Sequence, residues 1–114
     1  MVNPASRKPE VKLRYVVLHH TGIEPPHFDL MFETSPGSKL ATWRCPQWPP
    51  KPNDSFTPLG DHRRDYLDYQ GEISGQRGRV SRVAAGELQS YDPSSDRILV
   101  ALDIGTQISL PKLK

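Results

Sequence analysis

The stretch VKLRYVVLHHTGIEPPHFDLMFE, residues 11–33, decides the fold. Its first ten residues are rich in β-branched and aromatic side chains, which predicts a strand over residues 11–20. TGIEPP, residues 21–26, holds a glycine and two prolines and predicts a turn. HFDLMFE, residues 27–33, alternates as a strand does, so we predict a β-hairpin with a loop of about six residues. One face of the second strand carries Phe28, Leu30 and Phe32, and the other carries His27, Asp29, Met31 and Glu33.

The rest of the chain predicts further short strands separated by turns. LATWRC, residues 40–45, is a third strand candidate, whereas residues 46–58 carry five prolines and are not expected to form regular structure. Residues 59–75 hold three glycines and predict a loop with about one helical turn. Three more strands are predicted later in the chain: GRVSRVAA at 78–85, ELQSY at 87–91 and DRILVALDIG at 96–105.

This pattern of at least six short strands with little helix predicts a mostly β fold. A chain of 114 residues suits one domain. We therefore expect a small single-domain β barrel or curled sheet with short helical turns over residues 11–114, preceded by a flexible leader over residues 1–10. The 12 prolines are about twice the average share and make long helices improbable.

Composition limits the environment and the partners. The single cysteine, Cys45, excludes an internal disulfide and fits a reducing compartment. No apolar run approaches the roughly 20 residues of a membrane helix, and the polar start does not resemble a secretory signal, so we expect a cytoplasmic protein without membrane contact. The net charge of +2 permits an anionic partner without requiring one. Charges are evenly spread and no heptad pattern occurs, which favours a monomer.

The polar face of the hairpin carries a candidate metal site. Strand alternation places His27 and Asp29 side by side, and the loop returns His20 to the neighbourhood of His27. Two imidazoles and one carboxylate form a suitable ligand set for manganese, iron, zinc or a similar divalent ion. His19 should point to the other face and is a weaker candidate. The alternative interpretation is that these residues are polar groups on the solvated face of an antiparallel hairpin.

A second cluster lies in GDHRRDYLDYQG, residues 60–71. His62 and Tyr66 are four residues apart and would share a face if this segment turned helically. A histidine and a tyrosine near a metal can hold or protonate a phosphate oxygen, and Arg63 and Arg64 can contact further phosphates. The alternative is a surface loop of mixed charge. A further loose basic group comprises Arg77, Arg79 and Arg82 and gives weak support for nucleic-acid binding.

Taken in order, five segments resemble the 3′-phosphoesterase domain of bacterial and archaeal DNA ligase D, in a stand-alone form. RYVVLHH resembles the family's strand ending in a metal-binding histidine, and HFDLMFE resembles its His-x-Asp strand. LATWRCPQWPP resembles its Leu-x-x-Trp-x-x-Pro segment, and DHRRDYLDYQGEI its Asp-His-x-x-x-Tyr-x-x-x-x-Gly-x-Ile stretch. GRVSRVAAGEL resembles the following Gly-x-Val strand. The similarity extends from about Arg14 to Gly86.

The resemblance implies a compact β barrel that trims the 3′ ends of DNA primer–templates. Such enzymes remove a terminal ribonucleoside and then the 3′-phosphate, with Mn²⁺ as the preferred cofactor. The resemblance implies His20, His27 and Asp29 as metal ligands and His62 and Tyr66 as catalytic, phosphate-contacting residues. The metal would polarise the phosphate and activate water, and a ligase or polymerase would be a potential repair partner.

The chain departs from the family at Met31, where the family has an arginine that supports phosphate chemistry. Methionine lacks the bidentate fork of a guanidinium. Arg44, Arg64 or Arg77 can substitute for that arginine, which gives Arg44, Arg63, Arg64 and Arg77 as the candidate phosphate- or DNA-binding residues. Two alternatives follow. One is a catalytically degenerate relative that binds nucleic acid ends or a repair partner, and the other is a small iron oxygenase that uses His62 as a further ligand.

Overall fold

The protein forms one curled antiparallel sheet, a half-barrel, which confirms the mostly β fold class. The computed structural model describes residues 12–94 and 96–112, so the leader expected over residues 1–10 lies outside the described residues. Within those ranges the sheet has eight strands and the helical content is a 3₁₀ helix. The elements are β1 Arg14–Thr21, β2 His27–Glu33, β3 Leu40–Cys45, β4 Thr57–His62, the 3₁₀ helix Arg64–Leu67, β5 Gly71–Glu72, β6 Arg79–Asp92, β7 Arg97–Leu102 and β8 Gln107–Pro111.

The strand order is β4-β3-β2-β1-β6-β7-β8, with β5 pairing to β6 beside this path. β1 and β2 form the predicted hairpin, with His20 directly opposite His27 and Leu18 opposite Asp29. Directly opposed residues of an antiparallel pair have side chains on the same face of the sheet. The hairpin register therefore brings His20, His27 and Asp29 to one face, as the alternation predicted.

The opposite face of the hairpin, which carries Leu30 and Phe32, builds the main core. The sheet curls so that β7 and β8 pack against the inner face of β1, β2 and β3. The indole Nε1 of Trp43 on β3 donates a hydrogen bond of 2.7 Å to the carbonyl of Pro111 in β8, which ties the two regions together. The main core comprises Tyr15, Val17, Leu30, Phe32, Ala41, Trp43, Ile98, Val100, Leu102, Ile108 and Leu110.

The face with His27 and Asp29 is buried as well, which a hairpin with one solvated face would not show. Leu67 of the 3₁₀ helix packs onto it, and Tyr66 and Ile73 lie against the same group of side chains. We call this group the second core; it comprises Val16, Leu18, Met31, Leu40, Leu67 and Val80. His20, His27 and Asp29 therefore lie at the edge of the second core, which the 3₁₀ helix covers.

Three of the strand assignments made from the sequence differ from the structure. Residues 57–62, assigned to irregular structure, form the strand β4, which also carries Pro58 and Gly60. Those residues have low strand propensity, but an edge strand tolerates proline because one side of its backbone needs no partner. β8, over Gln107–Pro111, was not predicted at all. It is short and owes its place to pairing with β7. The helical turn within 59–75 is confirmed as the 3₁₀ helix.

The third error concerns β6, which is one 14-residue strand where two were predicted. Gly86 suggested a break in the pattern. In the structure a Cβ at this position would lie 2.3 Å from Oδ2 of Asp103, so glycine is needed here for a close approach and not for a turn. No helix in the described ranges has the length and apolar character to cross a membrane.

Candidate metal centre

His20, His27 and Asp29 meet where the β1–β2 hairpin narrows toward its loop. One potential ligand atom from each residue lies within 4.8 Å of those of the other two. His27 is 5% exposed and Asp29 is 3% exposed, while His20 is partly buried. This burial contradicts the interpretation of these residues as polar groups on a solvated hairpin face.

The ring of His27 has a defined orientation. Its Nδ1 lies 3.1 Å from the carbonyl oxygen of Pro25. A carbonyl only accepts hydrogen bonds, so Nδ1 carries the hydrogen and, in the neutral ring, Nε2 carries a lone pair. Burial lowers the pKa of His27, although the Pro25 hydrogen bond and the charge of Asp29 act in the opposite direction. The neutral ring is therefore favoured.

The Nε2 atom of His27 is buried and has no hydrogen-bond partner among the described residues. It lies 3.7 Å from Oδ2 of Asp29. Two acceptor atoms thus face each other with no hydrogen between them, an arrangement that is costly in a buried site. A divalent cation shared by the imidazole nitrogen and the carboxylate oxygen would remove this cost, so the residues present fit a metal of the manganese, iron or zinc type.

His20 is oriented by a backbone carbonyl in the same way. Its Nε2 lies 2.6 Å from the carbonyl oxygen of Arg77. In the neutral ring Nε2 therefore donates, and Nδ1 carries the lone pair. Carbonyl groups that fix the second nitrogen of a histidine are a common feature around metal sites. The sequence did not identify the carbonyls of Pro25 and Arg77, since a main-chain contact leaves no residue-type signal.

Arg44 lies beside this cluster. It is opposite Asp29 in the β2–β3 register, and its Nε donates to Oδ1 of Asp29 at 3.3 Å. The Arg44 side chain is 41% exposed, so it can reach solvent while holding the carboxylate. His27 and Arg44 also line a surface depression of about 340 Å³. Of the arginines expected to replace the family's arginine, Arg44 is the one whose side chain contacts the cluster.

Met31, the residue expected to replace the family's arginine, belongs to the second core. It is 2% exposed and packs in the same apolar group as Leu18 and Leu67. Two residues along β2 from Asp29 the face is therefore apolar.

His62 and Tyr66 contact each other, with ring centroids 5.9 Å apart, although not through helical spacing, because His62 ends β4 and only Tyr66 lies in the 3₁₀ helix. His62 lies opposite Leu40, which is opposite Glu33, four residues along β2 from Asp29. Four residues of strand span about 13 Å. His62 and Tyr66 therefore lie on the same face of the sheet as the metal cluster, but toward the opposite end of that face. Among the described residues, His62 is not part of the cluster of potential ligands, which leaves the iron-oxygenase alternative without its further ligand.

Arg64 is committed to a structural ion pair. Its NH1 donates to Oε2 of Glu33 at 2.5 Å and to the Ser38 carbonyl at 2.8 Å. Glu33 also accepts a 2.8 Å hydrogen bond from the backbone N–H of Arg14. These contacts fasten the 3₁₀ helix to β2 and give Arg64 a structural role, while its expected role in phosphate binding stays a prediction.

Glu33 was not singled out in the sequence, although it falls on the alternating face of Asp29. It is 3% exposed. Burial alone would raise the pKa of Glu33, but hydrogen bonds from Arg14, Arg64 and Gly37 outweigh burial and lower it. The Glu33 carboxylate is therefore ionised and holds the 3₁₀ helix through its ion pair with Arg64.

Arg63 and Arg77 line a cavity of about 300 Å³ together with Tyr66 and Tyr69. The Arg77 guanidinium donates to the carbonyl of Ser74 at 2.7 Å and to its hydroxyl at 3.3 Å. Because the Arg77 carbonyl also contacts His20, this cavity adjoins the metal cluster. Tyr69 was not among the predicted site residues.

Cys45 follows Arg44 at the end of β3, and its thiol is buried. Burial, together with the nearby charge of Asp29, raises the pKa of Cys45 to about 12. This favours the protonated thiol at neutral pH, and Cys45 does not belong to the cluster formed by His20, His27 and Asp29.

Comparison with known proteins does not identify a family for this chain, because no protein-family model and no curated protein matches it. The similarity to the ligase D 3′-phosphoesterase domain stays a prediction from the motifs.

Proposed function

We propose that this protein is a metal-dependent phosphoesterase that acts on the 3′ ends of DNA. It removes a 3′-terminal ribonucleoside or a 3′-phosphate during repair, with Mn²⁺ or a related divalent ion held by His20, His27 and Asp29. The motif resemblance supports the substrate class. The observation that carries the proposal is the orphaned Nε2 of His27, buried 3.7 Å from a carboxylate oxygen of Asp29.

The protein's own side chains have distinct roles in this proposal. His20, His27 and Asp29 would hold the metal, and the chemistry it would supply there is that of a Lewis acid for the phosphate and for attacking water. Arg44 holds Asp29 in place and presents its guanidinium to a phosphate oxygen at the depression beside His27. The carbonyls of Pro25 and Arg77 keep the two imidazoles in the orientation that leaves a lone pair for the metal.

His62 and Tyr66 lie about 13 Å along the sheet face from Asp29, so they are proposed to bind the next phosphate or sugar of the same DNA end. Tyr66 packs against the second core, which extends to Leu18 and Met31 beside Asp29. His62, whose Nδ1 contacts the Gly60 carbonyl at 2.8 Å, is proposed to contact the DNA there through its other ring nitrogen. Cytoplasmic repair, in company with a ligase or polymerase, would be the setting of this reaction.

A second candidate is a non-catalytic relative that binds DNA ends or a repair partner. The specific observation in its favour is the burial of Met31, because no cation can stand where the family has its arginine. In this version Arg44 does not replace the missing charge, and the site binds the phosphate without hydrolysing it.

The test is a labelled primer annealed to a longer template and ending in a 3′-phosphate or a single 3′-ribonucleotide. The protein is incubated with it and Mn²⁺, and a parallel reaction contains a chelator. We expect metal-dependent conversion to a 3′-hydroxyl end that is lost in His27→Ala. The matched control is His19→Ala, since His19 stacks on Phe28 on the opposite face with ring centroids 4.3 Å apart.

A folded wild-type protein that binds Mn²⁺ but converts neither end would overturn the phosphoesterase in favour of the non-catalytic binder. A folded protein that binds no divalent metal would overturn both the metal site and the reaction.

A further inference from the structure

We infer that the cavity beside Tyr69 is a stacking site for an unpaired nucleobase next to the 3′ end. The choice of nucleic acid as ligand rests on the proposed function, while the site itself rests on the fixed position of Tyr69 and on the groups around it. Stacking on an aromatic ring is the sequence-tolerant way in which proteins hold single-stranded nucleic acid.

Tyr69 is exposed and yet immobilised. It is 39% exposed and, among the described residues, is one of four large hydrophobic side chains left open to solvent. Its hydroxyl donates to the carbonyl of Glu72 at 2.5 Å. The ring of Tyr66 meets it edge-on at 6.3 Å, and a Cβ at Gly71 would come within 2.9 Å of its hydroxyl oxygen. A ring held in this way loses little further freedom when a ligand stacks on it.

The cavity next to Tyr69 has the size and chemistry of a nucleotide site. Its volume is about 300 Å³. Arg63 and Arg77 provide donors for phosphate or base oxygens, and Asp65 and Glu72 can accept hydrogen bonds from exocyclic amino groups. Two cations and two carboxylates around an aromatic ring suit a base better than a second bare phosphate.

The position of the cavity connects it to the candidate metal centre. Arg77 lines the cavity, and its carbonyl contacts Nε2 of His20 at 2.6 Å. On another side, Tyr66 lines the cavity and contacts His62. A nucleotide whose phosphate lies at the metal cluster therefore has its neighbouring base within reach of Tyr69.

The experiment uses binding and not turnover. A short single-stranded oligonucleotide ending in a 3′-phosphate carries 2-aminopurine at its last position, and its fluorescence is followed during titration with full-length protein in chelator. We expect quenching by the wild type and by Tyr69→Phe, which keeps the ring. Tyr69→Leu should lose the quenching and bind about tenfold more weakly or worse. Leu99→Ala is the matched control, because Leu99 is also exposed, at 45%, and does not line the cavity.

Equal affinity and equal quenching for Tyr69→Leu and the wild type would overturn the stacking site. Wild-type protein that neither binds nor quenches the oligonucleotide would overturn it as well. Failure of the proposed function gives a different result: if quenching depends on Tyr69 but the 3′-phosphate is never released with Mn²⁺, the stacking site stands and the phosphoesterase does not.

Discussion

Nε2 of His27 faces Oδ2 of Asp29 across 3.7 Å in the interior of the protein, and none of the described residues gives Nε2 a hydrogen-bond partner. The ring cannot be turned to relieve this, because Nδ1 is held by the Pro25 carbonyl. The carboxylate is held too, since Oδ1 accepts from Arg44. The pair is therefore preorganised for a cation, and its energetics in the absence of metal lead to the first prediction.

Asp29→Asn should raise the free energy of unfolding of the metal-free protein by about 1 kcal/mol. The amide oxygen can still accept from Arg44, and the amide N–H₂ would donate to the lone pair of His27, satisfying an atom that lacks a partner. The measurement is urea denaturation in chelator. Asp29→Ala is the comparison, and it should destabilise because it removes the partner of Arg44. If Asp29→Asn lost as much stability as Asp29→Ala, the repulsion between Nε2 of His27 and Oδ2 of Asp29 would be contradicted.

Mn²⁺ should raise the melting temperature of the wild type. At a free concentration 100 times Kd the stabilisation is about 2.7 kcal/mol, or roughly 8–12 °C for a domain of this size. His27→Ala should abolish the shift, since it removes a ligand atom. His19→Ala should keep it, since that ring stacks on Phe28 on the other face. Equal shifts in both variants would show that Mn²⁺ binds elsewhere.

Glu33→Gln should lower stability at pH 7 by about 2 kcal/mol, because Glu33 is buried and accepts charged and backbone donors. The pKa of Glu33 is lowered from its ordinary value of 4.5, so its carboxylate stabilises the fold above that pH. This contribution is lost as pH falls through the folded-state pKa. Denaturation at pH 7 and at pH 3 should therefore show a difference that shrinks in acid.

The matched control for that change is Glu87→Gln. Glu87 pairs with Lys12 at 3.8 Å, but both side chains are at least half exposed, so the cost should be below about 1 kcal/mol. If the Glu33→Gln penalty were the same at pH 3 as at pH 7, the ion pair with Arg64 would not be its cause.

Gly78→Ala should destabilise the protein by about 3 kcal/mol or more and weaken metal binding. Gly78 has φ of 84°, and a Cβ there would lie 2.1 Å from the carbonyl oxygen of Thr21. The loop must then move, and with it the Arg77 carbonyl that orients His20. Gly37→Ala is the control that separates backbone strain at positive φ from the steric clash of the new Cβ. Gly37 has φ of 83°, and a Cβ added there would have nothing within 4 Å. This substitution should cost about 1–2 kcal/mol and leave the Mn²⁺ shift unchanged.

Arg44→Gln should reduce turnover of a 3′-phosphate end about 100-fold or more, because the guanidinium is the cation beside Asp29. Arg97→Gln is the control, since Arg97 is an exposed arginine on β7 whose guanidinium donates to Ser109. Single-turnover kinetics with saturating Mn²⁺ give the comparison. An Arg44→Gln rate equal to that of the control would show that Arg44 does not take over from the family's arginine.

The β1–β2 hairpin shows which features can be predicted from residues that are close in sequence. Strand alternation has a period of two, so HFDLMFE alone determined that His27 and Asp29 share a face, and the short loop brought back His20. His62 and Tyr66 are also close in sequence and their rings contact, but across the junction of β4 and the 3₁₀ helix and not along one helix. These features depend on neighbouring residues only.

The tertiary structure decided what covers that face and which residues are free to act. Arg64 was predicted to contact phosphate. In the structure its guanidinium donates to the buried carboxylate of Glu33, which lies 31 residues earlier in the chain. β4 and β8 are held by backbone pairing with the strands that precede them, β3 and β7, which their side chains did not signal. At Gly86 the absence of a Cβ leaves room for the carboxylate of Asp103, 17 residues later in the chain. Local spacing was enough to predict that His20, His27 and Asp29 come together on one face. Only long-range packing decided its burial, its carbonyl partners and the cavity at Tyr69, because those contacts join segments that share no pattern along the chain.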